Sequence, residues 1–224
     1  MNMIDDTPDR FACETDTELR MLGRYIRAVE MGVERIKEEE IAEIKCRGDG
    51  DFMENFNQGM DHIIAHGEAI PRILKYTQIV ALYSFLETRL GLLCEETHCR
   101  RPELDQHIKT QPSKNTVKES QVFLSIPSLN CEITQWPAIE TLGLLRNCVA
   151  HGNGWIERIQ KPEKLRNTIS SVHGLDEDKG RIVVSEVYIE RTYRSIYTLF
   201  DEAFHNLGFG PGLMPNEFPP KAAN

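Results

Sequence analysis

The most apolar long segment of the sequence runs from Ile70 to Cys94 and reads IPRILKYTQIVALYSFLETRLGLLC. Pro71 suits the first turn of a helix, and apolar residues follow at so many positions that little of the helix circumference is polar. A helix that is apolar on nearly all sides is normally buried. We therefore predict that this helix lies at the centre of the fold.

The sequence on both sides of this stretch predicts further helices. From Thr15 to Lys45 apolar side chains recur mostly every three or four positions, which is typical of a long amphipathic helix. Shorter helices are predicted over residues 52–66, 119–124, 137–152, 162–171 and 186–207, with a polar loop over 95–118 and a β-hairpin near 170–185. The predicted fold is all-α, a helical bundle with a small β-hairpin before the last helix, in one domain over residues 15–207. The ends, 1–14 and 208–224, are predicted to be flexible.

Composition limits the classes of protein to be considered. The chain has 224 residues and a formal charge of −9, and residues 1–70 alone hold 17 acidic and 8 basic residues. The remainder is neutral, so a local basic cleft could still bind phosphate, whereas a nonspecific nucleic-acid coat protein is disfavoured. The N-terminus lacks the pattern of a secretory signal, and no apolar run approaches the length of a membrane span. We expect a cytoplasmic protein with reduced cysteines and no membrane segment.

The segment LLRNCVAHG, residues 144–152, carries the clearest candidate for a functional motif. It places Arg146 and Asn147 ahead of His151 near the end of an amphipathic helix. This arrangement resembles the signature of the HEPN superfamily, in which an Arg and a polar residue precede a His by a short gap at the end of a helix in an α-helical bundle. The run YSFLE, residues 83–87, is more loosely similar to an earlier central helix of that family.

The resemblance implies a metal-independent RNA endonuclease with Arg146, Asn147 and His151 as catalytic residues and with no cofactor. It also implies a homodimer, a role as a toxin of a toxin–antitoxin or antiviral defence system, RNA as the substrate, and a possible antitoxin of the nucleotidyltransferase type as a partner. The alternative is a HEPN-like dimerisation or partner-binding module without catalysis, because the same bundle could serve either purpose.

Physical chemistry supports this pairing of residue types. RNA can be cut without a metal when its own 2′-hydroxyl attacks the adjacent phosphate, which requires proton transfer near neutral pH and a cation beside the developing charge. His151 and Arg146 meet these two needs. The two residues lie about 140° apart on an ideal helix, so one helix does not form a compact site and a two-fold dimer is expected to complete it. Glu87 shares a stripe with apolar residues, and we predict that it supports the site by pairing with Arg146 or another base; the alternative is an ordinary ion pair within or between helices.

Two other Arg and His pairs fit the same loose pattern. Arg166 precedes Asn167 and is followed by His173, whereas Arg101 and His107 lie in a predicted loop. We favour Arg146 because its helix has a clear apolar stripe and a clear end. A purely structural alternative also stays open, in which Arg146 forms an ion pair with Glu140 or Glu87 beside a helix-capping His151.

No metal site is predicted. His62 and His66 are four positions apart, but the residue that follows His62 is Ile63, so the general-base Glu of a zinc protease motif is missing. Two Glu-x-x-His elements, at 95–98 and 202–205, would suit a di-iron bundle, but the helical wheel turns them away from the core.

Overall fold

The structure of the chain is a computed structural model. It describes residues 9–46, 67, 69–102, 116–210, 213, 218 and 219. The described part contains six α-helices and one two-stranded antiparallel sheet, and this confirms the predicted all-α class with a hairpin before the last helix. None of the described helices is long and apolar enough to cross a membrane. In chain order the elements are α1 (Arg10–Cys46), α2 (Ile70–Arg100), α3 (Thr116–Leu124), α4 (Trp136–Gly152), α5 (Pro162–Ser171), β1 (Leu175–Asp178), β2 (Arg181–Val184) and α6 (Glu186–Leu207).

Helix α2 is the centre of the bundle, as its sequence predicts. It packs against α1, α3, α4 and α6, and the side chains of Leu82, Leu86 and Leu90 are fully buried. Helix α6 supplies the facing surface with Phe200 and Phe204. Because α4 packs on both α2 and α6, its position follows from this central pair.

The hairpin is tied to the loop that follows α4. Its strands pair Leu175 with Val184 at the open end, and its turn is closed by two residues with positive φ, Lys179 and Gly180. The backbone N–H of Ile182 donates to the carbonyl of Gly154 at 3.0 Å. The hairpin and the end of α4 therefore form one connected unit.

A buried ion-pair network joins three helices. The guanidinium of Arg27 on α1, whose side chain is 6% exposed, binds the carboxylates of Glu30, Glu186 and Glu190. Glu30 also accepts hydrogen bonds from Lys75 and Gln78 of α2, while Arg27 donates to the carbonyl of Pro219. Charges removed from water are stable only when they are paired in this way. The network therefore fixes α1 against α2 and α6.

Helices α1 and α2 and the segment after α6 differ from the predictions made for them. Helix α1 begins at Arg10 and not at Thr15, because the carboxylate of Asp9 caps it by accepting the N–H of Phe11 at 2.9 Å. Helix α2 continues to Arg100 through a stretch predicted as loop, since Thr97 turns inward and bonds back to the carbonyl of Leu93. The segment after α6, predicted as a flexible tail, contributes buried side chains to the core, namely Phe209, Leu213 and Phe218. The helix predicted over 52–66 lies outside the described residues.

The ion-pair network leads to a stability prediction. Replacing Arg27 with Met keeps an aliphatic side chain but removes the cation that Glu30, Glu186 and Glu190 share, so the free energy of unfolding should fall by about 3 kcal/mol or more. Urea denaturation measures this loss. Arg24→Met, on the exposed side of the same helix, is the control and should change stability by less than about 0.5 kcal/mol. Equal losses in the two variants would contradict a special role for the network.

Candidate functional site

The helix that carries the motif is positioned by its apolar stripe and ends at a defined cap. Leu142, Leu145 and Cys148 are fully buried, whereas Val149 is only partly buried. The cap residue is Asn153, which has a left-handed backbone with φ of 50° and donates its N–H to the carbonyl of Val149 at 3.0 Å. The motif therefore occupies the last two turns of a well-anchored helix.

Arg146 is held in place by an aromatic ring and an amide. Its guanidinium carbon lies 5.3 Å from the ring centre of Tyr83 on α2, within the range of a cation–π interaction. Its Nη1 donates to Oδ1 of Asn147 at 3.1 Å. The Tyr83 ring also lies beside Gly143, one turn before Arg146. Among the described residues, the cation is thus oriented without a charged partner.

The predicted ion pair between Arg146 and Glu87 is not found. Among the described residues, Arg146 has neither Glu87 nor Glu140 within ion-pair distance, so the purely structural alternative loses its ion pair as well. Glu87 is half-buried one turn beyond Tyr83 on α2. Burial raises the pKa of the Tyr83 hydroxyl, the charge of Glu87 raises it further, and Arg146 lowers it. Glu87 and Arg146 therefore lie on the same tyrosine but do not contact each other.

His151 and Asn147 are both exposed and lie one turn apart on the same side of α4. The helix is continuous from Trp136 to Gly152, so the expected separation of about 140° between Arg146 and His151 applies. The guanidinium of Arg146 reaches Asn147, which lies on the His151 side of the helix, while the backbone positions of Arg146 and His151 are about 140° apart. None of the described contacts of Arg146 and Asn147 joins them to His151.

The competing pair built on Arg166 has a different environment. The guanidinium of Arg166 binds the carboxylates of Glu157, Glu163 and Glu177, and these hydrogen bonds raise its pKa. Three carboxylates around one cation occupy its donors and would repel a phosphate. His173 is exposed in the turn before β1. Arg166 is therefore a structural cation that joins α5 to the hairpin.

Glu202 and His205, which form one of the Glu-x-x-His elements considered for a metal site, lie on α6. Glu202 accepts hydrogen bonds from the N–H and hydroxyl of Thr134, at 2.9 and 2.5 Å, and so anchors the loop before α4, while His205 is exposed. In the described ranges, no group of three or more His, Cys, Asp or Glu side chains could hold a metal ion. His62, His66 and His107 lie outside the described residues.

Two aromatic residues near the motif were not identified from the sequence as functional. Tyr83 was noted only as part of the run YSFLE, and its contact with Arg146 links residues that are distant in the chain. Trp155 follows directly after the Gly-Asn-Gly end of α4, and the guanidinium of Arg181 lies 4.2 Å from its ring centre. A tryptophan next to a helix end that carries a candidate catalytic residue was the signal that could have identified this position.

Comparisons with protein-family models, with curated proteins and with solved structures give no match to this chain. The HEPN resemblance therefore stays a prediction based on the motif.

The end of α4 leads to a prediction about Gly154. This residue has φ of +79°, and a Cβ there would overlap the hydroxyl of Tyr76, which donates to the carbonyl of Ile182 at 2.8 Å. Gly154→Ala should therefore lower the free energy of unfolding by roughly 3 kcal/mol, from backbone strain together with overpacking. The control is Gly208→Ala, which has φ of +77° but no atom within 4 Å of the new Cβ and should cost roughly 1 kcal/mol. Urea denaturation of both variants checks the difference, and equal losses would mean that Tyr76 moves aside freely.

Proposed function

We propose that this chain is a metal-independent RNA endonuclease of the HEPN type, in which Arg146 and Asn147 bind the scissile phosphate and His151 transfers protons. One observation carries the proposal. Arg146 is oriented by Tyr83 and Asn147 while no carboxylate among the described residues pairs with it. A cation in this state keeps its charge and most of its donors available for a phosphate.

The contrast with Arg166 strengthens this choice of site. Both residues are arginines followed by asparagine, but three carboxylates surround Arg166 and none of the described ones pairs with Arg146. An anionic substrate is therefore attracted to one and repelled from the other. We propose Arg146, not Arg166, as the phosphate ligand.

The proposed reaction needs only groups that the chain and its substrate supply. The 2′-hydroxyl of the RNA loses its proton and attacks the adjacent phosphorus, a bond forms between 2′-oxygen and phosphorus, and the bond from phosphorus to the 5′-oxygen breaks. One imidazole accepts the first proton and an imidazolium donates a proton to the leaving 5′-oxygen. Arg146 stabilises the negative charge on the phosphate oxygens in the transition state.

We propose that a homodimer completes the site. Arg146 and His151 lie on different sides of α4, so a second copy related by a two-fold axis is the simplest way to bring a histidine to the phosphate held by Arg146. Glu87, which acts on the same tyrosine as Arg146, is a supporting residue in this proposal.

The cellular role proposed here rests on the family resemblance alone. It is that of a cytoplasmic toxin in a toxin–antitoxin or antiviral defence system, restrained by an antitoxin of the nucleotidyltransferase type.

The second candidate function is a non-catalytic dimerisation or partner-binding module. Its support is the apolar surface of α1, where Met21 and Tyr25 are each 63% exposed and lie one turn apart. This candidate predicts association without RNA cleavage.

Paired substitutions test the catalytic proposal. His151→Ala removes the proton-transfer group and Arg146→Ala removes the phosphate ligand, so each should lower the rate of RNA cleavage by roughly 100-fold or more. A fluorescent single-stranded RNA and a gel-based cleavage assay measure the rate. Arg166→Ala and His173→Ala are the matched controls and should stay within a few-fold of the parent.

Light scattering of the same variants shows whether a lost activity reflects chemistry or assembly. The parent and both His151 and Arg146 variants should have about twice the chain mass of 25.7 kDa. Cleavage that depends on His173 and not on His151 would assign the site to the other pair. A dimer that cleaves no RNA at any concentration would favour the binding module.

A further inference from the structure

A cavity of about 530 Å³ lies on the side of the hairpin that faces the first turns of α2 and α6. Its size is within the range of pockets that hold small ligands, a nucleotide included. Charged and aromatic side chains line it. They include Arg72, Lys75, Trp155, Lys179 and Arg181, together with the carboxylates of Asp178 and Glu186.

The described charges that line this cavity do not cancel. Lys75 pairs with Glu30 and Glu186 pairs with Arg27, so these two belong to the buried network. Among the described lining residues, the cations Arg72, Lys179 and Arg181 remain, set against the carboxylate of Asp178. Because no described carboxylate pairs with these three cations, the cavity is suited to an anionic ligand.

One of these cations, Arg181, is held in place before any ligand binds. Arg181 lies over the Trp155 ring, and its backbone pairs with that of Trp155 in an isolated β-bridge. Burial raises the pKa of the Tyr76 hydroxyl, and the charges of Arg72 and Arg181 lower it. Both cations therefore lie near Tyr76. The indole already has Arg181 on it, and the guanidinium carbon of Arg158 lies 5.7 Å from the same ring centre. The guanidinium plane of Arg181 can stack with a base, and the cations offer charge to its phosphate.

This cavity adjoins the candidate catalytic helix. Trp155 is four residues beyond His151, and its N–H donates to the carbonyl of Gly152 at 3.0 Å. We infer that the cavity binds one nucleotide of single-stranded RNA, with the phosphate at Arg72 and Lys179 and the base against Trp155 and Arg181, and so holds the strand beside His151. The inference rests on the proposed function for the identity of its ligand, but it concerns binding and not chemistry.

Tryptophan fluorescence tests the inference directly. The chain has two tryptophans, and Trp136 lies at the far end of α4, so Trp136→Phe leaves Trp155 as the only reporter. A 2′-O-methyl RNA ten-mer is the ligand, because a methylated 2′-oxygen cannot attack and cleavage is blocked. Saturable quenching of Trp155 is expected. Arg72→Gln and Arg181→Gln should each weaken the affinity roughly five-fold or more, and Arg72→Gln should reduce the slope of log affinity against log salt by about one.

Controls separate the possible outcomes. Arg194→Gln, on the exposed face of α6, should leave the affinity unchanged, and thermal denaturation shows whether each variant is folded. Inorganic phosphate and adenosine monophosphate are titrated in parallel and should bind at least ten-fold more weakly than the ten-mer. If either binds as tightly as the ten-mer, the cavity is a site for a free anion and the inference is overturned. Unchanged RNA affinity in folded Arg72 and Arg181 variants also overturns it.

The same experiment distinguishes this inference from the proposed function. RNA binding that depends on Arg72 and Arg181, in a protein that cleaves no RNA, would retain the nucleotide site and reject the nuclease. Cleavage that depends on His151, with an RNA affinity insensitive to Arg72 and Arg181, would retain the nuclease and reject the nucleotide site.

Discussion

The arrangement of the bundle depends on the buried cation of Arg27. Its side chain binds three carboxylates from two helices, and one of these, Glu30, in turn binds Lys75 and Gln78 of α2. Because unpaired charges in this position would be costly, α1, α2 and α6 have few alternative packings. The network also engages Lys75 and Glu186 at the wall of the hairpin cavity, and these two opposite charges cancel. The other described charges that line the cavity are three cations and one carboxylate.

The fixed position of α2 determines what happens at α4. Tyr83 projects from α2 beneath Arg146, and its ring lies beside Gly143 of α4. A tyrosine can orient a guanidinium without neutralising it, whereas a carboxylate in the same place would compete with a phosphate. This difference in partner is why Arg146 and Arg166, which look alike in the sequence, have different environments.

The sequence predicted the features that depend on local signals. The predicted bounds of the helices at 162–171 and 186–207 match those of α5 and α6, because Pro162, Ser185 and Gly208 mark their ends. The motif at Arg146 was visible for the same reason. The contacts of Arg27 with Glu186 and of Arg146 with Tyr83 join distant parts of the chain, and no local pattern encodes them. A signal for the first existed, since Arg27 and Glu30 lie on the same face of α1 as buried Ile26.

We propose that the chain cuts RNA by attack of the substrate's own 2′-hydroxyl, assisted by His151 and Arg146. Identifying the ends of the products formed in the presence of excess EDTA tests this chemistry. We expect an undiminished cleavage rate, a 2′,3′-cyclic phosphate on one fragment and a 5′-hydroxyl on the other, and no cleavage of RNA with a single 2′-deoxy nucleotide at the cut site. Loss of cleavage in EDTA that manganese or zinc restores, or products with 5′-phosphate and 3′-hydroxyl ends, would contradict it.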